Sequence, residues 1–175
     1  GFQSYPDSTL LAGYMISEEL RPGSPALMGR QFSYRTDRPI REAIHRELGF
    51  EPTSLGDLLL GSQLVQAMAY REAIRAHRSA QPRCMGTLFW QLNDPWPGPS
   101  WSVIDRAGRG KVALHAVRDA YAPVSVDVLG TNGPMRVEVL TDRPAGPHRV
   151  EVSWWLADGT LYQRDDTIIV LEQPV

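Results

Sequence analysis

The sequence has one cysteine, Cys84, and one lysine, Lys111, among its 175 residues. A single cysteine excludes an intrachain disulfide framework and any cysteine-based zinc cage. No apolar run approaches the ~20 residues that a membrane-spanning helix needs. The opening GFQSYPDS has neither a basic n-region nor the apolar core of a signal peptide. No membrane partner is expected, and a cytoplasmic setting is favoured. Charge of one sign is also lacking: 18 Lys+Arg against 20 Asp+Glu leave a formal net charge of −2. A dedicated nucleic-acid binder would show a basic excess or stripe, so that class is set aside. With 42 % hydrophobic and 22 % charged residues the composition is that of an ordinary globular chain.

What is present is punctuation. Fourteen prolines and 15 glycines divide the chain into short segments. Asp7 or Ser8 caps a predicted helix running towards Glu19 and Leu20, with a second around Leu27 to Tyr34. Arg38-Pro39 opens a third, and Gly49 suits its C-terminal cap. The strongest helical signal lies between Ser54 and about Ser79, with strong helix formers and no internal proline. Its apolar residues do not form one stripe. Leu60, Leu64, Ala67 and Ile74 share a side, while Val65, Ala69 and Ala73 point elsewhere, the pattern of a helix wedged between layers. Arg71, Arg75 and Arg78 on this helix read most simply as a solvated face. The run Cys84 to Trp90 is apolar without alternation, which predicts a strand buried on both faces. A proline-rich loop to Gly110 and a helix from Lys111 to Tyr121 follow, with Val112, His115 or Ala116, and Ala120 on one side.

From about residue 123 the period changes to two. Val124, Val126 and Val128, then Met135, Val137 and Val139, then Val150, Val152, Trp154 and Leu156 alternate with polar residues. Asp158-Gly159 is a hairpin signal, and Thr167 to Leu171 reads as the last strand. About five short strands predict an antiparallel sandwich, fewer than the ~7 of a complete immunoglobulin-type one.

The four histidines lack HxxxH or HExxH spacing, so neither a metal nor another cofactor is expected. Gly108-Arg109-Gly110-Lys111 lacks the full phosphate-loop pattern. No Gly-x-Ser-x-Gly elbow occurs. The chemistry concentrates in residues 89–105, where three tryptophans, two aspartates, an asparagine and a glutamine follow the predicted strand. In α/β architectures, sites form at that end of a strand. Sugar C–H faces pack on aromatic rings, and sugar hydroxyls need fixed amide and carboxylate partners. Composition alone leaves two readings open: a sugar site, or core tryptophans beside a turn held by Asn93 and Asp94.

The run Gly86-Thr87-Leu88-Phe89-Trp90-Gln91-Leu92-Asn93-Asp94-x-Trp96-Pro97-x-x-Ser100-Trp101-Ser102-x-Ile104-Asp105 resembles the eighth-strand signature of β-mannosidases in glycoside hydrolase family 2. Ser62 to Ala67 resembles that family's penultimate barrel helix. Lys111-x-Ala113-Leu114-His115 resembles its last one, and Ala122-Pro123-Val124 its entry into the next domain. Gly1 to Pro6 resembles the segment after its Ser-Glu-Phe nucleophile motif. The sequence departs at Gly29-Arg30-Gln31, where the family pattern would place a histidine.

The resemblance implies an α+β chain. Residues 1–121 would be a remnant of a (β/α)8 barrel, carrying its last strand and last helices, and 122–175 the start of an incomplete immunoglobulin-like β-sandwich. A complete barrel needs roughly 200–250 residues, more than that first part supplies. Family 2 enzymes are retaining, with two glutamates about 5–5.5 Å apart. By the resemblance both lie upstream of this chain, and Glu18, Glu19, Glu42, Glu47, Glu51 and Glu72 match neither motif. Trp90 would line the sugar subsite, beside a cis peptide to Gln91. Asn93, Asp94 and Trp96 would shape the pocket rim, and Gln3 its floor, with Tyr5 nearby. Ser102 and Asp105 would brace the loop. The substrate implied is a terminal β-mannoside, with β-galactosides and β-glucuronides as family alternatives. A non-catalytic sugar-binding or scaffolding module and a pseudoenzyme are the other readings. Alone, the chain is expected to be inactive and to self-associate through the face left open by the missing upstream barrel.

Overall fold

Helix ends follow the local chemistry of the chain. In this computed structural model, which describes residues 2–33, 36–129, 136–142 and 146–171, α4 spans Leu55–Ser79. The Ser54 hydroxyl accepts from the Asp57 N–H at 3.1 Å, and the Asp57 carboxylate accepts from the Ser54 N–H at 3.0 Å. This reciprocal box satisfies two of the backbone donors that a helix start leaves unpaired. These bonds also hold the Asp57 carboxyl below its ordinary value. His77 and Arg78 in the last turn complement the helix dipole. Ahead of it, α3 (Arg38–Leu48) begins with proline in its first turn and ends at Gly49, whose φ of 75° is the left-handed conformation that glycine adopts without penalty.

The first predicted helix is shorter than the pattern suggested. Asp7 caps α1 (Ser8–Ala12), Gly13 stops it by turning its N–H back onto Leu10 and Leu11, and a single 3-10 turn covers Ser17–Glu19. Ser24 caps α2 (Pro25–Gly29), and α5 covers Val112–Ala120. Two apolar clusters meet along α4. One gathers Tyr5, Leu11, Leu27, Ile44, Leu58 and Val65 between α4, α3 and the N-terminal segment. The other joins Ala67, Tyr70 and Ile74 of α4 to Val103, Ala113, Val117 and Ala120. The wedge expected of α4 is therefore present. Leu60 and Leu64, grouped by period with Ala67 and Ile74, are instead 57 % and 36 % exposed.

Beyond α5 the chain is antiparallel. β1 (Val124–Leu129) pairs with β2 (Arg136–Thr141), and β3 (Gly146–Trp155) with β4 (Leu161–Leu171). Asp158-Gly159 makes the second turn, with Gly159 at positive φ and Asp158 capping Thr160. The last strand, read as starting at Thr167, begins at Leu161, because β3 supplies a backbone partner along that whole length. Among the described residues these are two separate two-stranded sheets, and Val126, Val128, Ile168 and Val170 are exposed. The chain is thus mixed α+β.

Cys84 to Trp90 differs most from expectation. It forms no strand. Strand assignment requires a neighbour to take the backbone N–H and C=O groups, and the described residues offer this run none on its outer side. Phe89 packs beside Tyr70 at 5.5 Å between ring centroids, while Met85, Leu88, Trp90 and Leu92 are exposed.

Of the α4 arginines only Arg71 keeps to a solvated face; Arg75 and Arg78 are covered, and all three are engaged. Arg71 and Arg75 both reach Asp127 on β1. Arg75 also contacts Glu138 on β2 at 2.9 Å, and Arg78 donates to Ala120 O and Ala122 O at 2.7 and 2.9 Å. Arg75, Asp127 and Glu138 are each under a fifth exposed, so solvent screens them little. Arg75→Gln should loosen the β1–β2 hairpin by about 1–2 kcal/mol. Amide exchange in β1 and β2 should quicken roughly tenfold, while exchange in α3 stays unchanged.

Candidate functional site

The inner face of α4 carries polar residues that apolar packing alone would not select, and each holds a segment of chain. The Ser62 hydroxyl accepts from Tyr5 N–H at 3.0 Å and donates to Leu59 O. Gln63 donates to Tyr5 O and accepts from Val112 N–H, tying the N-terminal segment to the start of α5. Gln66 is fully buried. Its carbonyl accepts from the Ser4 hydroxyl at 2.7 Å, and its amide faces Phe2 O, Ser100 O and Ser102 O at 3.1–3.4 Å. Ser4 and Ser100 also exchange backbone hydrogen bonds at 2.9 and 3.1 Å. The start of the chain and the far end of the tryptophan-rich loop thus meet on one helix.

Lys111 completes this network. It is 2 % exposed, and its ammonium donates to Ser4 O at 3.1 Å and to the Ser100 hydroxyl at 3.4 Å. Burial pushes it down from 10.5 to about 8, against the opposing pull of Asp94 and Asp105. Ser100 and Ser102 hydroxyls lie 2.8 Å apart, and Ser102 donates to Asp94 at 3.4 Å. The other Asp94 oxygen accepts from Trp96 N–H. Asp105 accepts from Ala107 N–H and Arg109 N–H and pairs with the Arg109 guanidinium, closing the 105–109 turn. Ser102 and Asp105 therefore brace the loop.

Tyr70 fixes the loop from the other side. Its hydroxyl lies 2.5 Å from Trp90 O and 2.7 Å from Trp101 O, so its one proton is shared between them. Burial raises this phenol to about 12, so it remains a donor. Gln91 N–H donates to Trp101 O, and Val103 and Ile104 donate to Leu92 O. The Trp90–Gln91 peptide is cis. Held this way by its backbone, Trp90 presents an indole that is 70 % exposed.

Among the cavities lined by described residues, Gln3 and Trp90, two of the five residues singled out from the sequence, fall on different ones. Gln3 lies on a cleft of about 430 Å³ with Phe2, Ser33, Glu42, Arg46 and Trp101, and donates to Gln31 at 2.7 Å. Trp90 lines a second hollow of about 290 Å³ with Tyr70, Phe89, Leu88 and Trp101. Trp101 is common to both. Asn93 is exposed and bridges to Ile104. Asp94 is 5 % exposed and faces inward to Ser102 and Trp96, so its carboxylate holds the loop rather than opening on the surface. Trp96 sits further along, its indole N–H donating to Arg30 O at 2.9 Å. There the loop passes so close that a Cβ on Gly98 would stand 2.5 Å from Arg30 O. Sequence reasoning overlooked Lys111, Gln66 and Tyr70 as the frame of this site. The available signals were a lone lysine at a helix start and two glutamines on a helix face shared with Leu59 and Tyr70.

No family model matches the chain. It is 41 % identical over 161 residues to β-mannosidase A of Aspergillus terreus, a match covering 79 % of this chain and 17 % of the relative. The chain is a β-mannosidase-like segment of the glycoside hydrolase family 2 kind. A second such relative, β-mannosidase A of Aspergillus niger, is 41 % identical over 100 residues, covering 53 % of this chain and 11 % of its own length. The β-mannosidase-like chain therefore spans well under a quarter of these curated relatives. Among solved structures, the β-D-mannosidase of Dictyoglomus thermophilum aligns with 98 % of this chain and 22 % of its own, at TM-score 0.75 and 22 % identity. The exo-chitosanase of Amycolatopsis orientalis aligns with 96 % of this chain and 21 % of its own, at TM-score 0.71 and 19 % identity. These two likenesses show that the β-mannosidase-like segment shares their fold.

Proposed function

We propose that this chain is the C-terminal part of a retaining exo-glycosidase that hydrolyses terminal β-D-mannosides. Residues 1–121 contribute the last strand position and last helices of its catalytic barrel, and 122–175 begin its sandwich domain. The catalytic glutamates belong to the rest of the enzyme, and this chain supplies pocket walls. One observation carries the reading: the Trp90 indole stands 70 % exposed on a run whose backbone is anchored from behind. A flat apolar ring on a fixed backbone suits a sugar face. In this reading the outer side of residues 85–92 meets the remaining barrel strands, which explains why Met85 and Leu88 lack cover.

The test is a paired assay on an aryl β-D-mannoside. The full-length product of the gene should turn it over with retention of configuration, and the 175-residue chain should not. Turnover that co-purifies with the short chain would overturn the placement of the glutamates. A full-length product that prefers β-galactosides or β-glucuronides would overturn the mannoside assignment.

A further inference from the structure

Trp96, which the resemblance places on the pocket rim, is joined by a cluster of two arginines and two further aromatic rings. The Arg30 guanidinium lies 5.5 Å from the ring centroids of both Tyr14 and Trp96. Phe32 packs edge-on against Trp96 at 5.6 Å. Arg106 approaches the same tyrosine from the 105–109 turn, donating to the Tyr14 hydroxyl and to Pro95 O, each at 3.1 Å. Arg30 donates to Tyr14 O at 2.8 Å. Tyr14, Phe32 and Trp96 are 45, 58 and 39 % exposed.

The charge here is unbalanced. Elsewhere the described arginines mostly sit beside carboxylates, as Arg38 does with Glu42, Arg75 with Glu138 and Arg109 with Asp7. Arg30 and Arg106 have no acidic partner among the described residues, and their fixed bonds occupy only part of each five-donor fork. The nearby carboxylates are engaged: Asp94 with Ser102 and Trp96, Asp105 with the 105–109 turn. Stacking and backbone bonds hold both forks in place, so little side-chain entropy remains to be lost on binding an anion.

We infer that Tyr14, Arg30, Trp96 and Arg106 form a subsite for a carboxylated sugar, the two guanidinium groups gripping a uronate and the aromatic rings packing on sugar rings. It goes beyond the proposed glycosidase reading and needs only binding, not turnover. A basic cluster for nucleic acid is a poorer fit, since the chain has a single lysine and a net charge of −2.

The test uses the 175-residue chain and tryptophan fluorescence, with no turnover required, so its outcome is separate from that of the mannoside assay. Uronic-acid trisaccharides, neutral manno-trisaccharide and sodium acetate are titrated in parallel at low and high salt. The uronate should bind saturably and at least tenfold more tightly than the neutral sugar, with affinity falling as salt rises. Arg106→Gln should weaken it about tenfold, and Arg30→Gln at least as much, with circular dichroism confirming the fold. Arg106 is exposed and packs into no core, so its variant keeps the test decisive if Arg30→Gln misfolds. Equal binding of neutral and acidic sugars, unchanged affinity in Arg106→Gln, acetate binding as well as uronate, or no binding at all would each overturn the proposal.

Discussion

The unfolding free energy of the chain rises between pH 7 and pH 10, and the rise is absent in Lys111→Met. The sign follows from proton counting. Lys111 titrates near 8 in the folded chain and at 10.5 when unfolded. Between those values the unfolded state holds the proton that the folded state has released, so stability increases with pH. The contribution is fully present above 10.5 and is lost as pH falls through 8. By pH 10 the gain from this one group is roughly 2–3 kcal/mol, a sizeable fraction of the roughly 5–15 kcal/mol that stabilises a typical domain.

Two phenols set the upper limit of that window. Tyr5 and Tyr70 are both raised by burial, Tyr70 to about 12. Their unfolded counterparts ionise near 10 while the folded ones stay protonated, so stability falls again above that pH. Wild type should therefore show a maximum near pH 10 in urea titrations, whereas Lys111→Met should show only the alkaline decline. At neutral pH the substitution itself has opposing parts. It relieves the desolvation that depresses the ammonium, and it removes one of the donors that Ser4 O and the Ser100 hydroxyl accept from, leaving them the N–H groups of Ser100 and Ser102. The pH profile isolates the lysine from both. A rise that persists in Lys111→Met would show that another group carries it.

Where a local rule decides the structure, the sequence was legible. Ser54 and Asp57 announce the start of α4, Gly49 the end of α3, and Asp158-Gly159 the last turn, because capping and positive φ depend on neighbours in the chain. Resemblance pointed to the cis bond after Trp90 and to the bracing roles of Ser102 and Asp105. What escaped was set by partners far away in sequence. Arg75 reads as solvent-facing until Asp127 and Glu138 are brought against it. Lys111 reads only as the start of a helix until Ser4, 107 residues earlier, closes over it. Residues 84–90 carry the pattern of a buried strand, and pattern alone does not supply the neighbours that would bury it. Asp94 is polar enough for a pocket rim, yet the hydroxyl of Ser102 turns it inward.

Trp90→Ala in the full-length protein should lower kcat/KM on an aryl β-mannoside at least a hundredfold, about 2.7 kcal/mol of transition-state stabilisation. The same change should alter the stability of the 175-residue chain by no more than about 0.5 kcal/mol. The two expectations belong together. The indole is 70 % exposed, so truncating it removes little packing from this chain. The loop remains in place because Tyr70 binds the carbonyl of Trp90 and not its side chain, and Gln91, Val103 and Ile104 are held through backbone atoms. A large kinetic loss with intact stability therefore reports on the ring itself. Trp90→Phe keeps a flat apolar face and should recover part of the loss. Tyr70→Phe should behave differently. It leaves Trp90 O without its donor and Trp101 O with the Gln91 N–H alone, and so frees the loop; it should cost the chain about 1–3 kcal/mol as well as activity. Wild-type kcat/KM in Trp90→Ala would remove this ring from the sugar pocket. A comparable stability loss in both variants would show that Trp90 acts as a packing residue.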